Sequence, residues 1–253
     1  MGQLTKVIIV LLIATSIIIG VYKAINFIIQ KRLNAYIKQS VLADLRAIRS
    51  QMNPHFIFNS LNSINRYILK NETEKASDYL GRFAKLMRLV LDNSNHERIP
   101  LASELETMQL YVELEQLRFE NSFSYELNVD DTINQNLVLV QPLIFQPCIE
   151  NAIWHGLMHK KEGDKKLSFE ITQNNGNLIC EITDNGVGRH YKQTGEQLGR
   201  KKRKSYGINL VKDRLKLMDY NSELKFIDLV DNNEKPAGTK VIMIFKKIED
   251  FKL

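Results

Sequence analysis

The chain has 253 residues, of which 44% are hydrophobic and 25% are charged, a composition typical of globular proteins and sufficient for one large or two small domains. Its two cysteines, Cys148 and Cys180, are far apart in the sequence and lack a C-x-x-C spacing, which disfavours a disulfide framework or a zinc site. The formal net charge is +6, but five positive charges fall between Arg200 and Lys204, so a chain-wide nucleic-acid surface is also disfavoured.

The first predicted element is a membrane helix at the N-terminus. Residues 7–22 carry no charge and span roughly 24 Å as a helix, and flanking residues extend this length toward that of a bilayer core. A cleaved signal peptide is the alternative, but its apolar core is usually shorter and no small-x-small cleavage site follows. The basic residues near the helix are unevenly distributed: Lys6 precedes it, whereas Lys23, Lys31, Arg32 and Lys38 follow it. This asymmetry predicts a single-pass anchor in the cytoplasmic (inner) membrane, with the rest of the chain in the cytoplasm.

Helical periodicity dominates the chain from residue 33 to about residue 119. Apolar residues recur every three or four positions from Leu33 to Met52 and again from Ala76 to Leu91, and a third helix is predicted from Leu101 to Phe119. Pro54 interrupts this pattern and is expected to bend a long helix, which would leave His55 exposed at the bend. The alternative is a buried histidine that only packs, and these residues alone favour that alternative.

The pattern changes near residue 121 to that of a mixed α/β domain. We predict strands in "FSYELNV", "KLSFEIT", "LICEIT", "ELKFIDL" and "TKVIMIFKKI", with a hairpin at "QNNGN". Helices are predicted from about Pro142 or Pro147 and in "YGINLVKDRLKLM". The chain would then consist of a membrane anchor (1–24), a helical region (25–120) and an α/β domain (121–253).

Two polar clusters in the α/β domain could carry chemistry, whereas no P-loop or complete G-x-G-x-x-G motif is present. The first is "ENAIWHG", which places Glu150, Asn151 and His155 at positions i, i+1 and i+5 of a helix. A carboxylate beside a carboxamide can hold a hydrated Mg²⁺ ion, which prefers oxygen ligands. A helix end with an ordinary polar face is the alternative.

The second cluster is "TDNGVGR", in which Asp184 follows a predicted strand. Gly186 and Gly188 come directly after it and would let the backbone approach a flat ligand. An ordinary Asn-Gly turn is the alternative here.

Together with "KSYGINL" and "GTKV", these clusters resemble the ATP-binding domain shared by histidine kinases, gyrase and mismatch-repair ATPases, and heat-shock chaperone ATPases. The segments "LRAIRSQMNPHFIFNSLNSI" and "ELEQLRF" are similar to the phosphoacceptor region of LytS-like sensor histidine kinases. The resemblance covers about residues 40–248. It implies a helical dimerisation and phosphoacceptor region, followed by an α/β two-layer sandwich that binds ATP and Mg²⁺.

The resemblance also implies a role for each matching residue. His55 would accept the phosphoryl group, and Glu150 would be the acidic residue of the catalytic site. Asn59 lies four residues after His55, and this helical spacing alone places it where it would orient the imidazole. Asn151 would bind Mg²⁺. The residues expected to contact the nucleotide are Asn151, His155, Asp184, Gly186, Gly188, Ser205, Gly207 and Thr239.

The sequence departs from the family pattern at two positions. Trp154 stands where many relatives carry Lys, and Ser205 replaces a glycine of the phosphate-binding box. The adjacent run "GRKKRK" could supply positive charge to the triphosphate from a lid, or it could be a solvated basic loop.

The resemblance implies a sensor histidine kinase of a two-component system. A homodimer would phosphorylate His55 from ATP and pass the phosphoryl group to an aspartate on a separate response regulator with a receiver domain. The alternative is a non-catalytic, membrane-tethered module that binds ATP and signals by conformation. The sequence does not settle the signal, the regulator, or whether transfer runs within or between chains.

Overall fold

Three helices begin the part of the chain that the computed structural model describes, which comprises Gly2, residues 54–189 and residues 222–246. They are α1 (Pro54–Leu69), α2 (Thr73–Ser94) and α3 (Leu101–Arg118), so the predicted second and third helices are confirmed. No helix within these described ranges is long and apolar enough to cross a bilayer. Several predicted features lie outside the described residues: the membrane helix, the stripe from Leu33 to Met52, the helix in "YGINLVKDRLKLM", Ser205, Gly207 and the basic run.

Helices α1 and α2 are packed together through one apolar face each. On α1 the buried residues include Phe56, Ile64 and Tyr67, which recur at helical spacing, and Tyr79 and Leu86 of α2 are fully buried. The hydroxyl of Tyr79 donates to the Ser60 hydroxyl at 3.4 Å. Pro54 is the first described residue of α1, and the predicted bend involves residues that lie outside the described ones.

Helix α3 is buried on almost every side because it packs against both halves of the described chain. On one side, Asn93 of α2 donates to the hydroxyl of Thr107 at 3.2 Å. On the other side, the fully buried Glu104 carboxylate accepts the backbone N–H of Leu143 at 2.8 Å. Hence α3 connects the helical region to the α/β region, and the described residues from Pro54 onward belong to one compact unit that spans residues 51–253.

The α/β region contains a five-stranded sheet with the order β2-β4-β5-β7-β6. Its strands are β2 (Ser124–Val129), β4 (Lys166–Asn174), β5 (Asn177–Asp184), β6 (Glu223–Val230) and β7 (Pro236–Phe245). Strands β2 and β4 are parallel and the other neighbours are antiparallel. Two short strands, β1 (Ile99–Pro100) and β3 (Leu139–Val140), pair separately. All five predicted strands are confirmed, as is the hairpin, whose turn residues Asn175 and Gly176 both have positive φ.

One face of the large sheet is covered by α4 (Gln146–Asn151) and the turns that continue it. The ring of Phe145 contacts Phe169 of β4, with centroids 5.0 Å apart, and Phe245 of β7, with centroids 6.2 Å apart. Both cysteines of the chain, Cys148 of α4 and Cys180 of β5, are buried as free thiols in this core. A helix start near Pro147 is confirmed, whereas a start at Pro142 is wrong because Leu143 adopts a left-handed backbone conformation with φ of 57°.

Candidate functional site

Asp184 forms the centre of the site at the end of β5, where its side chain is almost completely buried. The backbone N–H of Gly186 donates to its Oδ1 at 2.8 Å. The pKa of the Asp184 carboxyl is raised to about 6. Burial causes this rise, and the backbone N–H groups of Gly186 and Thr239 partly oppose it. The carboxylate is therefore largely ionised at neutral pH, and its position is fixed by the backbone around it.

The glycines near Asp184 are required by close backbone contacts. A Cβ on Gly156 would lie 2.5 Å from Oδ1 of Asp184, and a Cβ on Gly186 would lie 2.2 Å from the carbonyl carbon of Gly156. Gly238 has a φ of 136°, and a Cβ there would lie 1.9 Å from the carbonyl oxygen of Asp184. These contacts bring the helix end and the two strand ends together around one carboxylate.

Two other predicted residues belong to the same part of the sheet. Thr239 of β7 is buried and pairs with Asp184 across the sheet. Gly188 has a φ of 74°, which a residue with a side chain adopts only with strain. The motifs predicted Gly186, Gly188 and Thr239, but they did not identify Gly156 and Gly238, whose importance depends on strand register and helix position.

The polar end of α4 continues into a short π-helix from Ala152 to Gly156, a geometry that often marks functional sites. Glu150 and Asn151 are half-buried at the start of this turn, and His155 is exposed. Although the residue is exposed overall, partial desolvation of its imidazole and the neighbouring His159 lower the pKa of His155. Within the described ranges no three His, Cys, Asp or Glu side chains are grouped as a metal cage. An Asn and a Glu alone suit a Mg²⁺ ion that keeps several waters and takes other ligands from phosphate oxygens.

His55 lies on the exposed surface of α1, next to Pro54. The amide nitrogen of Asn59 is 3.0 Å from Nδ1 of His55, so the predicted pairing of these two side chains is present. An Asn amide carries a donor and an acceptor, and it can therefore serve either imidazole tautomer. The His55 ring also contacts the indole of Trp154, edge to face, with centroids 5.3 Å apart.

Residues 43–123, which include His55, match the protein family described as histidine kinase. Over 147 residues the chain is 35% identical to the sensor protein LytS of Oceanobacillus iheyensis. Over 146 residues it is 33% identical to the sensor histidine kinase/phosphatase LytS of Staphylococcus aureus. The chain resembles the LytS-like sensor histidine kinases. Each match covers 58% of this chain and 24% of the LytS relative, so the chain spans about a quarter of their length.

Among solved structures, the histidine kinase domain from the Erythrobacter litoralis EL346 blue-light activated histidine kinase aligns with 78% of this chain and 98% of its own. The TM-score of this alignment is 0.41 and the sequence identity is 12%.

The site brings helix α1 and the "ENAIWHG" segment into direct contact, through His55 and Trp154. Sequence reasoning noted Trp154 only as a departure from the family pattern. The Arg118 guanidinium lies over its ring, 4.1 Å from the centroid. The signal in the sequence was the segment "ELEQLRF", which contains Arg118 but does not reveal its partner.

Proposed function

We propose that the chain is a sensor histidine kinase that transfers the γ-phosphoryl group of ATP to His55. One observation carries this proposal: the exposed His55 of the family-matched region contacts Trp154, three residues after Asn151 in the α/β region. An acceptor side chain thus lies beside the helix whose amide and carboxylate suit a magnesium–phosphate group.

Asp184 would recognise the adenine of ATP. An ionised, buried carboxylate accepts hydrogen bonds strongly, and the exocyclic amino group of adenine is a donor of suitable shape. The adjacent Gly156, Gly186 and Gly238 carry no side chains, so the backbone lies close to the carboxylate. Thr239 is close enough in the sheet to assist on the same side.

Asn151, with Glu150 beside it, would hold Mg²⁺. When bound, the ion offsets negative charge that develops on the transferring phosphoryl group. Asn151 would contribute its amide oxygen and orient the phosphates toward α1. His155 is exposed in the same turn and can contact the nucleotide.

In the transfer step, a nitrogen of the His55 imidazole forms a bond to the γ-phosphorus of ATP. The bond between that phosphorus and the β–γ bridging oxygen breaks, and its electron pair leaves with ADP. The Asn59 amide nitrogen lies 3.0 Å from Nδ1 and 3.3 Å from Nε2 of His55, and this contact would fix the orientation of the ring. A carboxylate of a response-regulator receiver domain would then take the phosphoryl group from His55.

A second copy of the chain would cover an apolar surface on α1 and α2. Phe58, Leu61 and Leu69 of α1 and Leu80 of α2 are large apolar side chains whose exposed fractions are 50% or more. Two such helix pairs can bury these side chains against each other as a four-helix bundle. A homodimer anchored in the cytoplasmic membrane by residues 1–24 is consistent with this surface and with the N-terminal sequence.

The test is incubation of the purified full chain with ATP labelled at the γ-phosphate. We expect acid-labile label on the wild type, no label on His55→Gln, and unchanged ATP binding in that variant. His96→Gln is the matched control because His96 is also an exposed histidine of the helical region. Label on His55→Gln would contradict the proposal, and ATP binding without any label on the wild type would favour the non-catalytic module.

A further inference from the structure

Four side chains form a compact group between the helical region and the α/β region, which we call the Trp154 cluster: Glu115, Arg118, Phe119 and Trp154. The Arg118 guanidinium lies 4.1 Å from the centroid of the Trp154 ring and 4.8 Å from that of Phe119. The rings of Phe119 and Trp154 meet edge to face, with centroids 5.2 Å apart. The indole is therefore held by a planar cation and by a second ring.

Glu115 holds the guanidinium that covers the indole. Its carboxylate is fully buried and accepts from Arg118 Nη1 at 3.3 Å. Burial raises the pKa of the Glu115 carboxyl to about 7, while the neighbouring Arg118 and Trp154 oppose this rise. A buried carboxylate keeps its charge only where such partners remain in place, so Glu115 and Arg118 fix each other and the indole.

Helix α1 contacts the C-terminal half of α3. The Phe56 ring, next to His55 in the sequence, lies 4.8 Å from the Tyr111 ring between centroids. Further along α1, the Tyr67 hydroxyl donates to the carbonyl of Leu117 at 2.9 Å, and Arg66 donates to the carbonyl of Arg118 at 3.1 Å. The C-terminus of α3 thus holds α1 on one side and Trp154 on the other.

We propose that Glu115 and Arg118 are positioning residues for phosphoryl transfer, because they hold the Trp154 indole in the place where it contacts the His55 imidazole. This inference rests on the proposed function. Trp154 lies one helical turn from Asn151, so the orientation of its ring sets the position of the acceptor relative to the helix that would hold the magnesium–phosphate group. A displacement of about 1 Å between reacting groups can slow a reaction by about 100-fold.

Trp154 is the only tryptophan of the chain, so its fluorescence reports on this cluster alone. We expect Arg118→Gln to shift the emission maximum to longer wavelength, because the ring loses its guanidinium cover and gains contact with water. We expect the same variant to slow labelling of His55 by about 10- to 100-fold at saturating ATP while the dissociation constant of ATP stays unchanged. Arg118→Lys should recover little of the rate, since an ammonium lacks the planar stacking of a guanidinium.

Two further variants make the result decisive. Arg118→Gln leaves the buried Glu115 carboxylate without its main partner, so the double variant Glu115→Gln, Arg118→Gln is measured in parallel and should be folded and equally slow. Arg82→Gln is the matched control, because Arg82 also binds a glutamate of α3, with Nη1 2.6 Å from Glu113 Oε2, but does not belong to the cluster. It should leave both emission and labelling rate unchanged.

Labelling at the wild-type rate in a variant whose emission has shifted would overturn the positioning role. Emission identical to wild type in His55→Gln and in Arg118→Gln would overturn the contact itself. A wild-type chain that binds ATP but takes no phosphate would instead contradict the proposed function, and the emission of these variants would then decide whether the cluster contacts His55.

Discussion

Asp184 carries its charge where water has little access, and single residues of this kind determine what the site can bind. Its carboxylate is only 4% exposed, and its nearest donors are backbone N–H groups. A ligand amino group that reaches it replaces few water contacts and gains a hydrogen bond to a charged acceptor. The proposed adenine recognition can therefore be tested with one substitution.

We expect Asp184→Asn to weaken ATP binding by about 1.5–3 kcal/mol, the usual contribution of a hydrogen bond with one charged partner. The amide keeps the size of the side chain but removes its charge. Isothermal titration calorimetry of the full chain with ATP measures the change, and Asp131→Asn, at an exposed aspartate, is the control. Equal affinities for wild type and Asp184→Asn would exclude the adenine role.

At the scale of elements, the local spacing of apolar residues predicted most helices and strands. The remaining features depend on contacts between segments that are distant in the sequence. The ends of α2 and α3 and the β4–β5 hairpin followed from spacing and from the Asn-Gly turn. The π-helix from Ala152 to Gly156 could not be predicted, because it does not change the apolar spacing that the sequence shows. The start of α4 depends on Glu104, which is about forty residues away in the chain.

The same limit applies to the candidate site. The motifs indicated Asp184 and Thr239, since both lie at strand ends within short recognisable segments. They could not indicate that Gly238 touches the backbone of Asp184, because this contact depends on the register of β5 against β7. Nor could they indicate that the Arg118 guanidinium lies over the Trp154 ring, because these two residues come from different motifs that are far apart in the sequence.

Glu104→Ala should destabilise the fold by about 2–4 kcal/mol, because it removes a buried carboxylate that accepts the N–H groups of Leu143 and Phe145. Urea denaturation followed by circular dichroism gives the free energy of unfolding. Glu106→Ala is the matched control on the same helix, since Glu106 forms only a surface ion pair with Lys85 and should change stability by less than about 1 kcal/mol. Similar unfolding midpoints for the two variants would refute the anchoring role of Glu104.

At the scale of the whole molecule, the interface between the helical and α/β regions contains the Glu115 carboxyl, whose pKa lies near neutral pH. The pKa of Glu115 is raised by burial to about 7, with Arg118 opposing and Glu150 adding to the shift. The folded chain therefore binds a proton in a pH range where the unfolded chain has released it. The stabilisation from this group is present below about pH 4.5 and is lost as the pH rises through about 7.

Comparison of wild type with Glu115→Gln isolates this effect, because Asp184 and all other groups titrate in both proteins. We expect the difference in free energy of unfolding, Glu115→Gln minus wild type, to increase by up to about 3 kcal/mol between pH 4.5 and pH 7.5. Urea denaturation at several pH values measures it. A difference that does not vary with pH would show that Glu115 has an ordinary pKa in the folded chain.

The contact between His55 and Trp154 lies within one chain, and we expect phosphoryl transfer to run within one chain as well. A mixed dimer of one His55→Gln chain and one Asn151→Ala chain then contains no chain with both an acceptor and a complete ATP site. It should remain unlabelled when incubated with labelled ATP. Label on the Asn151→Ala chain, separated by an affinity tag, would show instead that transfer runs between chains.

The two free cysteines have a practical consequence for covalent labelling. Burial raises the pKa of the Cys148 thiol to about 12 and raises that of Cys180 still further above its usual range. Since thiolates, and not thiols, react with maleimides, iodoacetamides and peroxide, both native side chains should be nearly inert while the chain is folded. A cysteine introduced at an exposed position such as Ser122 would then be modified selectively, so a dye or spin label could follow α3 without first removing the native cysteines.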